Sequence, residues 1–313
     1  EWLRTPPIER WQDPRFIGDP TVQEEMINQY IAIKYSSIEI PDEITEYLKQ
    51  LIELPLQNPK AGLVTKLRAS HNLIIEGNPG TGKTTLAALI ADMLFQFGYV
   101  TKEFNATTDV VNCSSIKTNT MRTLVESLHG GICVVDEAHI LGEEALKSSK
   151  TDRTSQLFEI IFGNMSSGSM SEEVGTKTTF ILMGYGKEHR VACMRDLYLM
   201  DPGFVRRCST IIRLRDADAS TLAKLFMRGM EQSYAYEWAD DWTEDDDTKK
   251  EIVTVLFEEA FFNGEDKTII SAFNNQIVQR LFEYSLAYQW VRTREGTRED
   301  MEEELGSVHT LCG

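Results

Sequence analysis

Residues 77 to 84 read GNPGTGKT, and this octapeptide constrains the fold more than any other segment of the chain. It fits the pattern G-x-x-x-x-G-K-[ST] and lies between an apolar run, Leu73 to Ile75, and a segment with helical spacing of apolar residues, Thr85 to Phe97. Glycine leaves backbone N–H groups open to an anion, and the N-terminus of a helix carries partial positive charge. The order strand, glycine-rich turn and helix therefore predicts a site for the phosphates of a nucleotide.

The residue types of this loop predict how it binds ATP and Mg²⁺. Lys83 is expected to contact the β- and γ-phosphates, and the hydroxyl of Thr84 is expected to bind Mg²⁺. The other residues expected at the nucleotide are Gly77, Asn78, Pro79, Gly80, Thr81, Gly82 and Thr85. A glycine-rich turn with a chance lysine is the alternative, and the flanking strand and helix argue against it.

A second motif follows the apolar run Ile132 to Val135, where Asp136 and Glu137 stand side by side. Four apolar residues carry this acidic pair to the carboxyl end of a buried strand, where parallel sheets bind their ligands. Asp136 is expected to complete the Mg²⁺ shell, and Glu137 to act as the general base toward the attacking water. An Asp-Glu pair after a strand is by itself usually a solvated turn, so this interpretation depends on the loop at 77–84.

Strands and helices alternate in the middle of the chain, which predicts an α/β fold with a parallel sheet covered by helices on both faces. Strands are predicted at 73–76, 110–113, 132–135, 179–183 and 210–214. Helices are predicted at 21–33, 42–54, 85–97, 119–129, 151–163, 219–234, 248–261 and 268–293. The predicted domains are an N-terminal arm with a short helix (1–41), a nucleotide-binding α/β domain (42–215) and a small helical lid (216–313).

The charge and cysteine content restrict the partners and the compartment. The 32 Lys and Arg against 49 Asp and Glu give a net charge of −17, which argues against a nucleic acid or an anionic membrane as partner. Five cysteines without a C-x-x-C pair predict reduced thiols in an intracellular, cytosol-like compartment. No stretch reaches about 18 consecutive apolar residues, so no membrane span is predicted. Because the chain begins with Glu1, we expect a processed chain or a segment of a longer one.

The motifs, in this order and spacing, resemble those of the AAA+ ATPases, and in detail those of the red-type Rubisco activase (CbbX) and stage V sporulation protein K group. Residues 77–85 match the group's GNPGTGKTT letter for letter, and residues 130–138, GGICVVDEA, resemble its GGVLFIDEA. The segment 181–185, ILMGY, resembles ILAGY, and the segment 201–207, DPGFVRR, resembles NPGFxSR. The resemblance covers about residues 60 to 215.

This resemblance implies a P-loop NTPase of the AAA+ type that hydrolyses ATP to ADP and phosphate. It also implies that Arg207 is an arginine finger that enters the site of a neighbouring subunit, with Arg206 beside it able to share the role. Taken without the family, two arginines ahead of a strand are more often a solvated or salt-bridged pair. Tyr185 falls at the position of the sensor after the fourth strand, and Gln276 at the second sensor on the lid, where the group has arginine. A finger acting in trans implies a ring, a homo- or hetero-oligomer that we expect to be a hexamer.

The sequence leaves two functions open. The first is an active ring ATPase, a chaperone-like remodeler of a protein client that the sequence does not identify. The second is a nucleotide-dependent scaffold with slow or absent hydrolysis, favoured by Gln276 and by segment 112–120, which lacks the aromatic residue of the family's threading loop. Ile116 and Lys117 are then the remaining candidates for gripping a polypeptide. The charge disfavours a DNA-acting clamp loader or helicase, and no acceptor site indicates a small-molecule phosphotransferase.

Overall fold

The structure is a computed structural model of the chain. It describes residues 20–34, 42–57, 72–97, 99–143, 153–165, 178–186, 194, 198, 203, 206–208, 210–232, 246–258, 277–278 and 280–281. The strands among them are β1 (Leu73–Glu76), β2 (Val110–Asn112), β3 (Ile132–Asp136), β4 (Thr179–Gly184) and β5 (Thr210–Arg213). The helices are α1 (Pro20–Lys34), α2 (Asp42–Gln57), α3 (Lys83–Gln96), α4 (Thr118–Ser127), α5 (Ile140–Glu143), α6 (Arg153–Met165), α7 (Ala219–Gln232) and α8 (Asp246–Phe257).

The five strands form one parallel sheet in the order β2-β3-β4-β1-β5. Every residue of β1 and β4 is buried, as expected for parallel strands that are covered on both faces. The α/β fold with a parallel sheet is therefore confirmed. The order places the end of β1, which leads into the loop at 77–84, beside the end of β4, and β4 beside β3.

Alternate residues of the strands enter two separate apolar clusters, one on each face of the sheet. On one face α1, α2 and α3 contribute buried residues such as Ile27, Leu48 and Ile90. On the other face α4 and α6 contribute residues such as Met121 and Leu157. We call these the α3-side core and the α6-side core. Helices on both faces, as predicted, bury the apolar strands and so fix the sheet.

The predicted strands and helices of the described residues are present, with ends that shift by a few residues. Helix α3 begins at Lys83, before the predicted start at Thr85, because the last residues of the phosphate loop already form its first turn. The predicted helix at 268–293 lies mostly outside the described residues. Residues 1–19 of the predicted arm lie outside them as well. The predicted domain boundaries stay a prediction.

Contacts divide the chain into two compact units. One contains Glu1–Gly77 and Gly82–Leu214, and the other contains Asn78–Thr81 and Arg215–Gly313. In the second unit, α7 and α8 share an apolar cluster that includes Leu222 and Phe257. None of the helices in the described part of the chain combines the length and the apolar character that a bilayer crossing requires.

Three of the cysteines fall within the described residues. Cys113 and Cys133 are buried free thiols, and Cys208 is a half-buried one. Burial raises the pKa of the Cys133 thiol above its ordinary value and that of Cys208 to about 12. Cys193 and Cys312 lie outside the described residues.

Candidate nucleotide-binding site

The loop between β1 and α3 has the backbone that its glycines predict. Gly80 and Gly82 have φ angles of 73° and 90°, in the left-handed region where a Cβ is costly. Gly82 is the N-cap residue of α3 and no side chain caps this helix. A Cβ at Gly82 would meet nothing within 4 Å. The start of α3 thus has space beside Gly82 and no side-chain cap on its first N–H groups, which fits the binding of a phosphate anion.

Lys83 lies on the first turn of α3 and reaches toward the end of β4. Its Nζ donates to the carbonyl of Gly77 at 2.9 Å and lies 5.5 Å from the ring centroid of Tyr185. The backbone N–H of Gly77 donates to the carbonyl of Gly184 at 3.2 Å, which fixes the start of the loop to β4. Thr84 and Thr85 follow on α3 with exposed side chains.

Asn78 and Thr81 shape the middle of the loop. The Thr81 hydroxyl donates to the carbonyl of Asn78 at 2.9 Å. Within the second unit, Asn78 Nδ2 donates to both carboxylate oxygens of Asp216, at 2.9 and 3.0 Å. Asp216 was not predicted as a site residue, because 138 positions separate it from Asn78 and no local pattern marks it.

The acidic pair follows β3 through a sharp turn of the backbone. Asp136 ends β3, and its Oδ1 accepts a hydrogen bond from the backbone N–H of Glu137 at 2.8 Å. Glu137 has φ 53°, the one positive φ outside glycine among the described residues. The N–H of Cys113 donates to the Asp136 carbonyl at 3.0 Å, and that of Ala138 to the Met183 carbonyl at 2.8 Å. These bonds from both neighbouring strands hold a strained residue in place, as is frequent at functional sites.

Tyr185 links the ends of β3 and β4 electrostatically. Its pKa is raised, first by burial and then by the negative charges of Glu137 and Asp136. The phenol therefore keeps its proton at neutral pH and remains a hydrogen-bond donor. Its ring centroid also lies 4.5 Å from that of His139. The structure thus brings together Lys83, the acidic pair and Tyr185 at the carboxyl ends of three adjacent strands.

The two arginines lie ahead of β5, and they differ in their surroundings. Arg206 is exposed. The guanidinium carbon of Arg207 lies 3.5 Å from the ring centroid of Phe162, and its Nη1 donates to the Phe162 carbonyl at 3.3 Å. The carbonyl of Arg207 accepts from Asn72 Nδ2 at 3.2 Å. These contacts are with α6 and the residue before β1, and none of them is with a carboxylate.

Two further residue predictions concern the lid and the threading segment. Gln276 lies outside the described residues. Ile116 is half-buried and packs against the α6-side core, whereas Lys117 is exposed. Of these two candidates for gripping a polypeptide, only Lys117 extends into solvent.

Sequence reasoning also missed a buried carboxylate at the base of the loop. Glu76 ends β1 with 2% exposure, and it accepts hydrogen bonds from the Tyr198 hydroxyl at 2.9 Å and from Arg213 Nε. The one sequence signal for this role is that Glu76 ends an otherwise apolar strand. Glu76 precedes Gly77, so these bonds fix the point where β1 becomes the phosphate loop.

A family model described as "Novel STAND NTPase 3" matches residues 61–183, a range that includes the loop and the acidic pair but ends before Arg206 and Arg207. A protein CfxQ homolog from Galdieria sulphuraria is 26% identical over 239 residues, which cover 69% of this chain and 74% of that protein. Stage V sporulation protein K of Bacillus subtilis (strain 168) is 24% identical, with 64% of this chain and 60% of that protein covered.

Protein CbbX of Cereibacter sphaeroides is 28% identical over 203 residues, which cover 64% of this chain and 59% of that protein. The match thus spans about three fifths of the length of these last two relatives. A solved structure described as "Structural Basis for Katanin Self-Assembly" aligns with 83% of this chain and with 80% of its own chain. The sequence identity is 17% and the TM-score is 0.38, so no conclusion is based on this likeness. The chain has a P-loop NTPase fold and is related in sequence to the AAA+ ATPases of the CbbX and stage V sporulation protein K group.

Proposed function

We propose that this chain is a Mg-ATP-dependent ATPase of the CbbX type that assembles into a ring and remodels a protein partner. The observation that carries the proposal is the convergence of Lys83, the Asp136–Glu137 pair and Tyr185 at one edge of the sheet. Lys83 reaches the ring of Tyr185, and the charges of both carboxylates act on the phenol of Tyr185. A base, a cation and a neutral donor next to an anion-binding loop are the groups that phosphoryl transfer requires.

The residues present fit ATP and Mg²⁺. The triphosphate would be held by the N–H groups of the loop and of the first turn of α3, with Lys83 at its β- and γ-phosphates. The Thr84 hydroxyl and the Asp136 carboxylate are the hard oxygen ligands that Mg²⁺ prefers. Among the described residues no group of three or more His, Cys, Asp and Glu could hold a metal alone, which suits an ion bound jointly with phosphate oxygens. The bound ion would neutralise charge on those oxygens.

Hydrolysis assigns a separate role to each remaining residue. Glu137 would accept a proton from the attacking water, whose oxygen bonds to the γ-phosphorus while ADP leaves. Lys83 in the same subunit and Arg207 from the neighbour would stabilise the charge on the transferring group. Tyr185 would act as a sensor by donating a hydrogen bond from its hydroxyl to the γ-phosphate. Gln276 stays a prediction for the second sensor.

Assembly follows from the role of Arg207. Its contacts in its own chain are with Phe162 and Asn72, which leaves the proposed role to a second subunit. A homo- or hetero-oligomeric ring, with a hexamer as the simplest form, supplies that subunit. The client would be a protein and not a nucleic acid, because the net charge of −17 disfavours nucleic acid; the sequence does not identify that protein. The cytosol-like compartment stays a prediction that rests on the cysteines.

The test of this proposal is the Glu137→Gln variant. We expect Mg-ATP hydrolysis to fall by at least about 100-fold while ATP binding and assembly persist, because the amide keeps the shape of the side chain but cannot accept the proton. Glu126→Gln, on the exposed side of α4, is the matched control and should hydrolyse ATP at the original rate. Unchanged hydrolysis by Glu137→Gln would show that Glu137 is not the base.

The second candidate function is a nucleotide-dependent scaffold with slow or absent hydrolysis. The packing of Ile116 against the α6-side core favours it, because this residue is then not free to grip a polypeptide. A turnover assay at increasing protein concentration separates the two functions. Stimulation by self-association that disappears in Arg207→Ala supports the ATPase, and binding of ATP without turnover at any concentration supports the scaffold.

A further inference from the structure

Arg207 is fixed in its own subunit at both its side chain and its backbone. The Cζ atom of its guanidinium lies 3.5 Å from the centroid of the Phe162 ring, and its Nη1 donates to the carbonyl of the same residue. Its carbonyl accepts from Asn72. The π-face and the carbonyl leave the positive charge intact, and a guanidinium has five N–H donors, of which this carbonyl takes one. The residue is half-exposed, so donors remain for an anion.

The aromatic platform beneath Arg207 is itself supported. The rings of Phe158 and Phe162 stack on α6 with centroids 5.1 Å apart and an interplanar angle of 17°. The two residues are one helical turn apart, and both pack against the α6-side core. Buried residues of the same helix, Leu157 and Ile161, anchor α6 to the sheet. These buried anchors, which do not depend on the stack with Phe158, hold the backbone of Phe162 and so keep its ring under Arg207.

Asn72 fixes the backbone of Arg207 to the sheet. The side chain of Asn72 is 5% exposed, its Oδ1 accepts from the N–H of Phe180 in β4 at 2.8 Å, and its Nδ2 donates to Arg207. In the sheet, β1 lies between β4 and β5. Asn72, at one end of β1, binds the carbonyl of Arg207, and Glu76, at the other end, binds the hydroxyl of Tyr198.

We propose that Phe162 and Asn72 are positioning residues for Arg207, which preset its guanidinium for the nucleotide of the neighbouring subunit. The inference rests on the proposed role of Arg207. A guanidinium that is already oriented loses less freedom when it engages a phosphoryl group, so the cost of completing the neighbour's site is lower. Phe162 and Asn72 act through Arg207 and contact no nucleotide themselves.

The test compares Phe162→Leu with Phe158→Leu. The first keeps apolar volume and removes the π-face under Arg207, whereas the second disturbs the ring stack and spares that contact. We expect Phe162→Leu to lower kcat of the assembled protein by about threefold to tenfold, with the KM for Mg-ATP and the assembly size unchanged. Phe158→Leu should keep kcat within about twofold of the original at a similar loss of thermal stability. Equal kcat in both variants, or an equal loss in both, overturns the proposal.

A mixing experiment separates positioning from damage to the subunit's own site. Phe162→Leu subunits keep their base but present Arg207 poorly, and Glu137→Gln subunits lack the base but present Arg207 normally. Mixed assemblies should hydrolyse ATP faster than the sum of the two alone, because a site that keeps its base then receives a well-presented arginine wherever its neighbour is a Glu137→Gln subunit. A mixture that shows no such gain overturns the proposal.

The Arg207→Ala variant distinguishes a failure here from a failure of the proposed function. If Arg207→Ala hydrolyses ATP normally in the assembly, Arg207 is not a finger and the proposed function loses that step. If Arg207→Ala is impaired and Phe162→Leu is not, only the positioning role fails. Asn72→Asp, which keeps an acceptor for Phe180 N–H and loses the donor to Arg207, should repeat the loss of kcat when its folding is confirmed by melting.

Discussion

Asn78 donates one amide nitrogen to both carboxylate oxygens of Asp216, at 2.9 and 3.0 Å. A residue of the phosphate loop is thereby held by the segment ahead of α7, where Asp218 in turn accepts from the backbone N–H of Thr221 at 2.7 Å and caps the helix. The two aspartates therefore have separable roles. One acts on the loop and the other on the helix.

The Asp216→Ala variant tests the first of these roles. Loss of this charge-assisted acceptor weakens the hold on Asn78 and so loosens the loop. We therefore expect the Kd for Mg-ATP to rise by about threefold to tenfold, a modest change because the contact is partly exposed. Isothermal calorimetry measures this change. Asp218→Ala is the control: it should lower the free energy of unfolding by about 1 kcal/mol through the lost cap and leave the affinity unchanged. Asp216→Ala binding as tightly as the original chain would show that the contact does not shape the loop.

Tyr185→Phe tests the phenol at the end of β4. The substitution keeps the ring near Lys83 and His139 and removes only the hydroxyl donor. Loss of one hydrogen bond to the transferring phosphoryl group is expected to lower kcat on the order of tenfold, while the Kd for Mg-ATP stays within about twofold. Single-turnover and binding measurements separate the two effects. The Tyr185→Leu variant, which also loses the ring, should weaken binding as well, and an unaltered kcat in Tyr185→Phe would remove this residue from the chemistry.

The strands, the helices and the loop at 77–84 are predictable because apolar periodicity and glycine spacing are local. The strand order is not local, and the contacts that depend on it stay hidden in the sequence. Asn72 reaches Arg207 across 135 positions and Phe162 reaches it across 45. The left-handed φ of Glu137 also has no sequence signal, because hydrogen bonds from two neighbouring strands impose it on a residue that disfavours it.

Buried thiols and phenols predict a loss of stability at alkaline pH. Burial raises the pKa of Cys133 and of Cys208, the latter to about 12, from the ordinary thiol value of 9.0. Burial, followed by the charge of Glu76, also raises the pKa of the Tyr198 phenol. Above about pH 9 the unfolded chain releases thiol protons that the folded chain retains. The contribution of these groups to the free energy of unfolding is thus fully present below about pH 9 and decreases above it.

Each thiol contributes a decline in the free energy of unfolding that approaches about 1.4 kcal/mol per pH unit as the pH rises past 9. Urea unfolding at a series of pH values between 8 and 10 measures the slope. The Cys133→Ala, Cys208→Ala double variant should show a flatter slope below about pH 9.5, where the phenols of the unfolded chain, with an ordinary pKa of 10.0, are still mostly protonated. A double variant with the slope of the original chain would assign the decline to other groups.

Gly184→Ala and Gly163→Ala form a matched pair that tests the packing beneath the site. A Cβ at Gly184 would lie 2.9 Å from Met194 Cγ and 3.2 Å from the backbone nitrogen of His139, and only the methionine can move away. We expect Gly184→Ala to cost about 1–3 kcal/mol of stability and to lower turnover, because the Gly184 carbonyl accepts from Gly77 N–H and the next residue is Tyr185. Thermal melting and a turnover assay measure both effects.

Gly163 lies in α6, and a Cβ there would meet nothing within 4 Å. Alanine at this position should raise the free energy of unfolding by up to about 1 kcal/mol, since it restricts the unfolded chain and favours the helix, with turnover unchanged. A loss of stability in Gly184→Ala together with a gain in Gly163→Ala would place the steric constraint at the end of β4. The phosphate loop and the turn with the acidic pair are both hydrogen-bonded there. If Gly184→Ala proved as stable and as active as the original chain, β4 would not be holding the loop and the turn after β3 in register.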